Sequence, residues 1–429
     1  MMEKPDLSAG DIAPNAIGVT PVSIDAFNNT RCSAACAFYT PFADRLNLEV
    51  LTNATVTRVL WNTSVASGAE LVAAGVEYTI DNQTFTANVT GDVIMSAGTI
   101  GTPKVMELSG VGNSTILSNA GVASVLELPT IGENLADHAH SWVNAFAKNI
   151  LTKDQGLFDP AFMDEQISLW HQNRTGLYSG IVGPGSLGLA APSDIFTPSQ
   201  TQELLAQAEA NIGHYATVFS NGNPGLAKAI RTQHKFLIEL YRKNEALPLE
   251  MNIVPGYQGP LGVADRPVRN FTTISSVLYA PFSRGRSHIA SSDPNEFPLV
   301  DPSYWTHPVD VAAMVGGIKL ARKMSTSSQF SPFYAGEFSP GDEIQGDEAI
   351  EEWLRTVVAS DNHEVGTMSM LPRELGGVVD TNLKVYGIAN VRVIDASVIP
   401  FPVSAHMSST VYMIGEKGVD ILVKSREPH

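Results

Sequence analysis

The chain has 429 residues, 44% of them hydrophobic and 17% charged, which gives length for a sizeable core and two or three domains and excludes a disordered chain. Lys and Arg number 27 against 44 Asp and Glu, a formal net charge of −17, and no basic stripe stands ready to neutralise phosphates, so nucleic acid is not an expected partner. No apolar run approaches the roughly 18 residues of a membrane span, and the opening MMEKPDLSAG lacks the apolar centre of a signal peptide.

Residues 1–25 carry Gly and Pro without a period and read as irregular. RCSAACAFYTPF, residues 31–42, reads as a short helix stopped near Pro41. Its two cysteines, Cys32 and Cys36, would share one helical face, which suits packing better than a disulfide. No further Cys or His cluster offers metal ligands, so no metal site is expected. NLEVLTNATVTRVLW, residues 47–61, alternates into two strands, and GVEYTI, QTFTANVT and GDVIMSAG continue as short strands between Asn and Gly turns. In TPKVMELSG the pattern predicts a helix with Thr102 at the N-cap, Pro103 in the first turn and Gly110 just past the end; STILSNAG repeats it with Asn113 and Gly121.

From about 140 to 345 the character changes. SWVNAFAKN reads as a strand, residues 160–172, 199–213 and 224–244 have helical spacing, and 250–256 returns to a strand. NFTTISSVLYAPFSRGRSHIASS reads as two strands joined around Ser283, Arg284 and Gly285, which predicts an antiparallel sheet backed by helices at about 309–325 and 346–359. The tail returns to α/β. NVRVIDAS is a buried strand, Val391 to Asp395, and a helix follows over about 408–424, capped by Ser408 or Ser409.

Two histidines near the end of the chain stand among small residues, His363 in HEVGT and His406 in SAHMSST, 43 residues apart. A lone histidine is usually a packed or solvated side chain. An imidazole pair beside a helix N-terminus is suited to proton transfer, because one ring can remove a hydroxyl proton while the other hydrogen-bonds the same oxygen and the helix end stabilises negative charge nearby. Such a pair has no hydride acceptor of its own, so a redox reaction here implies an organic cofactor.

GTIGTPKVMELSGVG (98–112), IGENLADH (131–138) and the run from His363 to Leu422 resemble the successive signatures of the glucose-methanol-choline (GMC) oxidoreductases, the FAD enzymes that include glucose oxidase and aryl-alcohol oxidase. The resemblance runs from about residue 25 onward and implies α/β plus α+β architecture: part of an FAD-binding, Rossmann-like domain (1–138 and 376–429) with an inserted antiparallel-sheet substrate domain (139–375). It implies an alcohol oxidase or dehydrogenase in which His363 and His406 are the catalytic pair and His363 takes the alcohol proton as hydride leaves for flavin N5. Val56 falls on the position whose backbone meets the adenine. Asp395 and Ala396 fall on the flavin-contacting strand end, with His406 and Met407 beside the ring. A small alcohol as substrate, oxygen or quinone as electron acceptor and a homodimer are the implied partners.

Two features depart from the family pattern. No Gly-x-Gly-x-x-Gly follows a strand near the start, so the chain resembles a member without its first third. Ala359 stands four residues before His363, where glucose-oxidising members carry Arg, which speaks against glucose and leaves a primary or aryl alcohol. Two alternatives stay open: a non-redox relative, a cyclase or hydroxynitrile lyase, and a shortened chain without activity. Eight Asn-x-Ser/Thr sequons, at Asn28, Asn53, Asn62, Asn82, Asn88, Asn113, Asn173 and Asn270, favour a secreted glycoprotein.

Overall fold

A computed structural model describes residues 17–18, 22–62, 69–180, 187–259 and 266–426. Most of the N-terminal stretch expected to be irregular lies outside these.

The first body of the fold gathers both ends of the chain. Val93–Met95 pairs in parallel with Val391–Val393, and Val93, Met95, Val391 and Val393 are buried in one cluster with Val105, Met106 and Ile388. Buried on both faces, such short apolar strands suit parallel pairing. Beside them Thr55–Trp61, Ala73–Ile80 and Gln83–Asn88 form an antiparallel sheet. Its second hairpin turns on Asp81 and Asn82, both at positive φ, the geometry that two-residue turns between right-twisted strands require. Residues 47–54 do not form the first of the two expected strands. Leu48, Val50 and Leu51 are exposed, and no strand among the described residues pairs with this stretch.

The helix of the first signature spans Gly98–Leu108, beginning a turn earlier than its sequence suggests. Thr102 is therefore not its N-cap. Its hydroxyl accepts from the Ala97 N–H at 3.1 Å and donates to Asp395 Oδ2 at 2.6 Å. Pro103 lies inside the helix and cannot donate to the carbonyl of Thr99. That carbonyl accepts instead from the Thr367 hydroxyl at 2.6 Å, while the Thr99 hydroxyl donates to the Glu364 carbonyl at 2.6 Å. The second small helix, Ser114–Asn119, is capped by the Asn113 side chain as its sequence predicts.

The second body is an antiparallel sheet in the order Ile17–Gly18, Leu187–Ala190, Leu249–Val254, Phe271–Leu278, Ala139–Ala147, Tyr334–Ser339, with Ala359–Ser360 also pairing to Ala139–Ala147. The helix Pro308–Ser325 packs Val311, Met314, Ile318 and Ala321 into the cluster beneath it. Gly317 permits that approach, since a Cβ there would stand 2.9 Å from Ser276 Oγ. Asp347–Val357 packs in turn through Ile350 and Leu354.

The two strands expected as one hairpin belong to different sheets. Phe271–Leu278 lies inside the large sheet, whereas Gly285–His288 joins Glu133–Leu135 and Leu299–Asp301. Between them Arg284 is fully buried, its guanidinium donating to the carbonyls of Pro281 and Ser283, so the chain turns around a buried cation and leaves the sheet. His288 then ties the two bodies. Its Nδ1 lies 2.7 Å from Glu107 and its Nε2 3.2 Å from Glu133, both buried.

Cys32 and Cys36 form a disulfide, with Cα atoms 5.2 Å apart, against the expectation of simple packing. Cys32 precedes the helical segment Ala35–Tyr39 rather than lying in it, and this leaves the pair within bridging distance.

Candidate active site

One end of the large sheet delivers a ring of titratable side chains. The run into Ala139–Ala147 brings His138 and His140, Leu249–Val254 brings Glu250, the end of Phe271–Leu278 brings Tyr279, and the turn after Ala359–Ser360 brings Asp361 and His363. Asn362 takes a positive φ in that turn, and the His363 N–H donates to Asp137 Oδ1 at 3.0 Å. From the opposite side comes His406, at the N-cap of the helix Met407–Lys424, with no side chain capping that terminus. Ser408 and Ser409, the expected caps, lie inside the helix.

The two predicted histidines meet. His406 Nδ1 is 3.3 Å from His363 Nε2, the rings set at 79°. Each is held from behind: His363 Nδ1 lies 3.0 Å from His138 Nδ1, and His406 Nε2 lies 3.2 Å from Glu250 Oε1. Glu250 is fully buried, hydrogen-bonded by the Tyr279 hydroxyl and by Asn252 Nδ2 at 2.5 Å. Asp361 Oδ2 lies 3.2 Å from His363 Nδ1 and 3.9 Å from His406 Nδ1, and its Oδ1 is 3.3 Å from His140 Nδ1.

Burial separates the protonation of these rings. Burial, reinforced by the neighbouring His363 and His406, pushes His138 down to about 3. Burial also lowers His363, outweighing the attraction of Asp361. In His406 burial works the same way, but the hydrogen bond and charge of Glu250, with Asp361, overcome it and raise the ring above its ordinary value. Burial would raise Asp361, yet the hydrogen bond from His140 and the charges of His363, His140 and His406 hold it below the usual range. His363 is thus the ring drawn toward its neutral form, and His406 is the better cation. One can receive a proton while the other donates a hydrogen bond to the same oxygen.

Both rings line a cavity of about 1030 Å³, open to solvent, with Arg31, Phe38, Ile394 and Met407 among its walls. Met407, 4% exposed, is among the residues lining this cavity, next to His406. Ala396 is packed in the small cluster behind Met407 with Ala136, Val365 and Ile399. Asp395 is engaged within the protein: Oδ2 accepts from the Gly98 N–H and the Thr102 hydroxyl, and Oδ1 accepts from Ser397. Val56 lies on the strand Thr55–Trp61, 42% exposed and outside the cavity lining. Glu250, Asp361, His138 and His140 do not stand out in the sequence. A lone carboxylate inside the apolar run LPLEMNIV, and a carboxylate two residues before His363, are the signals that would have found the first two.

GMC oxidoreductase family models match residues 13–140 and 281–415. The chain is 31% identical over 412 residues to a GMC oxidoreductase family protein, Mala s 12, of Malassezia sympodialis, covering 94% of this chain and 60% of that protein. The chain thus spans about three-fifths of the length of that curated relative. Among solved structures it resembles an FAD-dependent oxidoreductase from Chaetomium thermophilum (TM-score 0.84, 23% identity, 97% of this chain and 68% of that one). It also resembles a fungal aryl-alcohol oxidase (TM-score 0.81, 27% identity, 96% and 67%).

Proposed function

The chain belongs to the GMC oxidoreductase family, and from that premise we propose that it is an FAD-dependent oxidoreductase acting on the CH–OH group of a small alcohol, with His363 as base. The observation that carries this reading is the contact of His363 Nε2 with His406 Nδ1 at 3.3 Å on the wall of an open cavity. An alcohol oxygen seated between the rings would give its proton to the neutral His363 and accept a hydrogen bond from His406. His138 orients the first ring while Asp137 holds its main chain, and Glu250 orients the second.

The cavity fits the ring end of FAD. Ile394 and Met407 offer apolar contact, Arg31 a cation, and the uncapped N-terminus of Met407–Lys424 offers main-chain N–H donors. When bound there, FAD supplies a two-electron acceptor for the hydride that the alcohol carbon gives up. Ala396 and Asp395 serve this site from behind, Asp395 by fixing the strand end to the helix Gly98–Leu108, and Val56 is kept as the adenine contact. We assign residues 1–138 and 376–429 to holding the cofactor and 139–375 to the substrate; the parallel pairing of Val93–Met95 with Val391–Val393 and the separate antiparallel sheet support this division. A primary or aryl alcohol is the proposed substrate, oxygen or quinone the acceptor, and a homodimer the assembly.

The test is direct. Chain incubated with FAD and freed of excess cofactor should keep a flavin absorbance band that bleaches anaerobically when a primary or aryl alcohol is added. Failure to retain the band overturns the reading for this chain. A retained band that no alcohol bleaches, with ring closure or cyanohydrin cleavage detected instead, replaces it with the non-redox reading.

We also propose a secreted glycoprotein. The sequon residues Asn28, Asn53, Asn82, Asn88 and Asn173 are exposed, and the Cys32–Cys36 disulfide suits an oxidising compartment. Among the described residues no helix is long and apolar enough to cross a membrane. Chain from a eukaryotic secretory host should lose mass on treatment with an N-glycan endoglycosidase; an unchanged mass would reject glycosylation.

A further inference from the structure

Asp361, His363 and His406 each offer one donor atom, and these atoms all lie within 4.8 Å of one another. Two of the separations are 3.3 Å, from His363 Nε2 to His406 Nδ1, and 3.9 Å, from His406 Nδ1 to Asp361 Oδ2. Donors about 2.1 Å from a zinc-like ion at tetrahedral angles stand about 3.4 Å apart. The His363–His406 side is therefore at the spacing that one ion would impose, the His406–Asp361 side is about 0.5 Å longer, and the carboxylate has to turn inward from His363 Nδ1 to complete the set.

The surroundings are those of a ligand set as well. A metal-binding imidazole presents one nitrogen to the ion and has the other fixed by an outer group, often a carboxylate. His406 turns Nε2 to the buried carboxylate of Glu250 at 3.2 Å, which leaves Nδ1 for the ion. His363 turns Nδ1 to His138 at 3.0 Å, which leaves Nε2. Asp361 gives Oδ1 to His140 at 3.3 Å, which leaves Oδ2. Among the described residues that Oδ2 is buried and makes no aligned hydrogen bond although His363 Nδ1 is 3.2 Å away, and His406 Nε2 and His140 Nδ1 likewise stand near their carboxylates without an aligned bond. A buried carboxylate oxygen without a proper donor is costly unless a cation satisfies it.

We propose that Asp361, His363 and His406 form an open three-ligand site for a divalent transition ion such as Zn²⁺, the cavity leaving its remaining positions to water or a small ligand. Two imidazoles and one carboxylate with free positions suit Zn²⁺, Co²⁺ and Cu²⁺ and discriminate against Mg²⁺ and Ca²⁺, which prefer all-oxygen sets. Binding itself is independent of the reaction assigned above. Its consequence rests on that reading: the ion occupies the lone pair of His363 that would receive the alcohol proton, so the metal acts as a reversible inhibitor competing with substrate.

The probe is Co²⁺ added to the full chain after treatment with a chelator. A visible d–d absorption band saturating at one equivalent, displaced by Zn²⁺ and unaffected by excess Mg²⁺, is expected. Asp361→Ala and His406→Ala should abolish it, and Glu250→Gln, which removes only the outer carboxylate, should weaken Co²⁺ binding by about 10–100-fold. No band, or a band that survives in both alanine variants, overturns the site. Should those variants fail to fold, Zn²⁺ on the unmutated chain must protect His363 and His406 from diethyl pyrocarbonate relative to the exposed His171 and His214; equal modification overturns the site too. A saturable Co²⁺ band with no loss of alcohol-dependent flavin reduction would keep the site and sink His363 as base, so the two failures are told apart.

Discussion

His363→Ala is expected to slow alcohol-dependent reduction of bound FAD by about 10²–10⁴-fold, the usual contribution of a positioned general base, while flavin remains bound. The ring lines the cavity, and burial draws it toward its neutral form. His138 is fully buried and behind it, and His406 is drawn toward the cationic form by Glu250. Truncating His363 removes the 3.0 Å contact of its ring with the buried His138 but leaves the loop attached by the Asp137 contact to its main-chain N–H. Anaerobic stopped-flow absorbance on the loaded protein measures the effect. Reduction at the unmutated rate would remove the base assignment, and loss of flavin in the variant would turn the residue into a cofactor contact.

The second large effect is on stability. His288→Ala leaves the carboxylates of Glu107 and Glu133 buried without their shared partner, and removing one member of a buried ion pair costs about 3–5 kcal/mol. The intact residue also makes stability depend on pH. Burial alone would lower His288, but hydrogen bonds and charges from Glu107 and Glu133 raise it from 6.5 to about 9. A folded-state value above the unfolded one means the native state binds the proton more tightly. The contribution is therefore complete below pH 6.5 and disappears as pH rises through about 9, amounting to about 3 kcal/mol. Thermal unfolding followed across that window should show a decline in the wild type. A profile equally flat in wild type and variant would show that His288 carries no bound proton.

The two candidate histidines, His363 and His406, can be singled out because each sits in a run of small residues whose neighbours carry a family signature, and chain order alone brings the tail back to the first sheet. Their supporting carboxylates are not. Glu250 reads as an interruption in an apolar strand, and only the register of Leu249–Val254 against Phe271–Leu278 puts it beside Tyr279 and His406. Asp361 resembles an ordinary turn acid, and it is the positive φ at Asn362 that folds it back onto the ring of His363. For the same reason the sequence suggests no metal ligands, since their convergence depends on a turn and a sheet end rather than on spacing. Thr102 and Pro103 imitate a helix start because a capping hydroxyl and an internal proline have the same local composition; what differs is the distant partner, Asp395 for one and Thr367 for the other. Alternation misleads at residues 47–54 since periodicity marks a strand only where another strand is present to pair with it.

Two threonine hydroxyls bridge the gap between the helix Gly98–Leu108 and the loop that carries His363, that of Thr99 donating to the Glu364 carbonyl and that of Thr367 to the Thr99 carbonyl that Pro103 leaves open. The loop's freedom is thereby given up once, when the chain folds, rather than at every encounter with a substrate. In the reaction we propose, an imidazole fixed in this way would meet the alcohol oxygen with little reorganisation left to perform. A proline that would count as a defect in an isolated helix thus sets the standing geometry of a side chain well outside that helix.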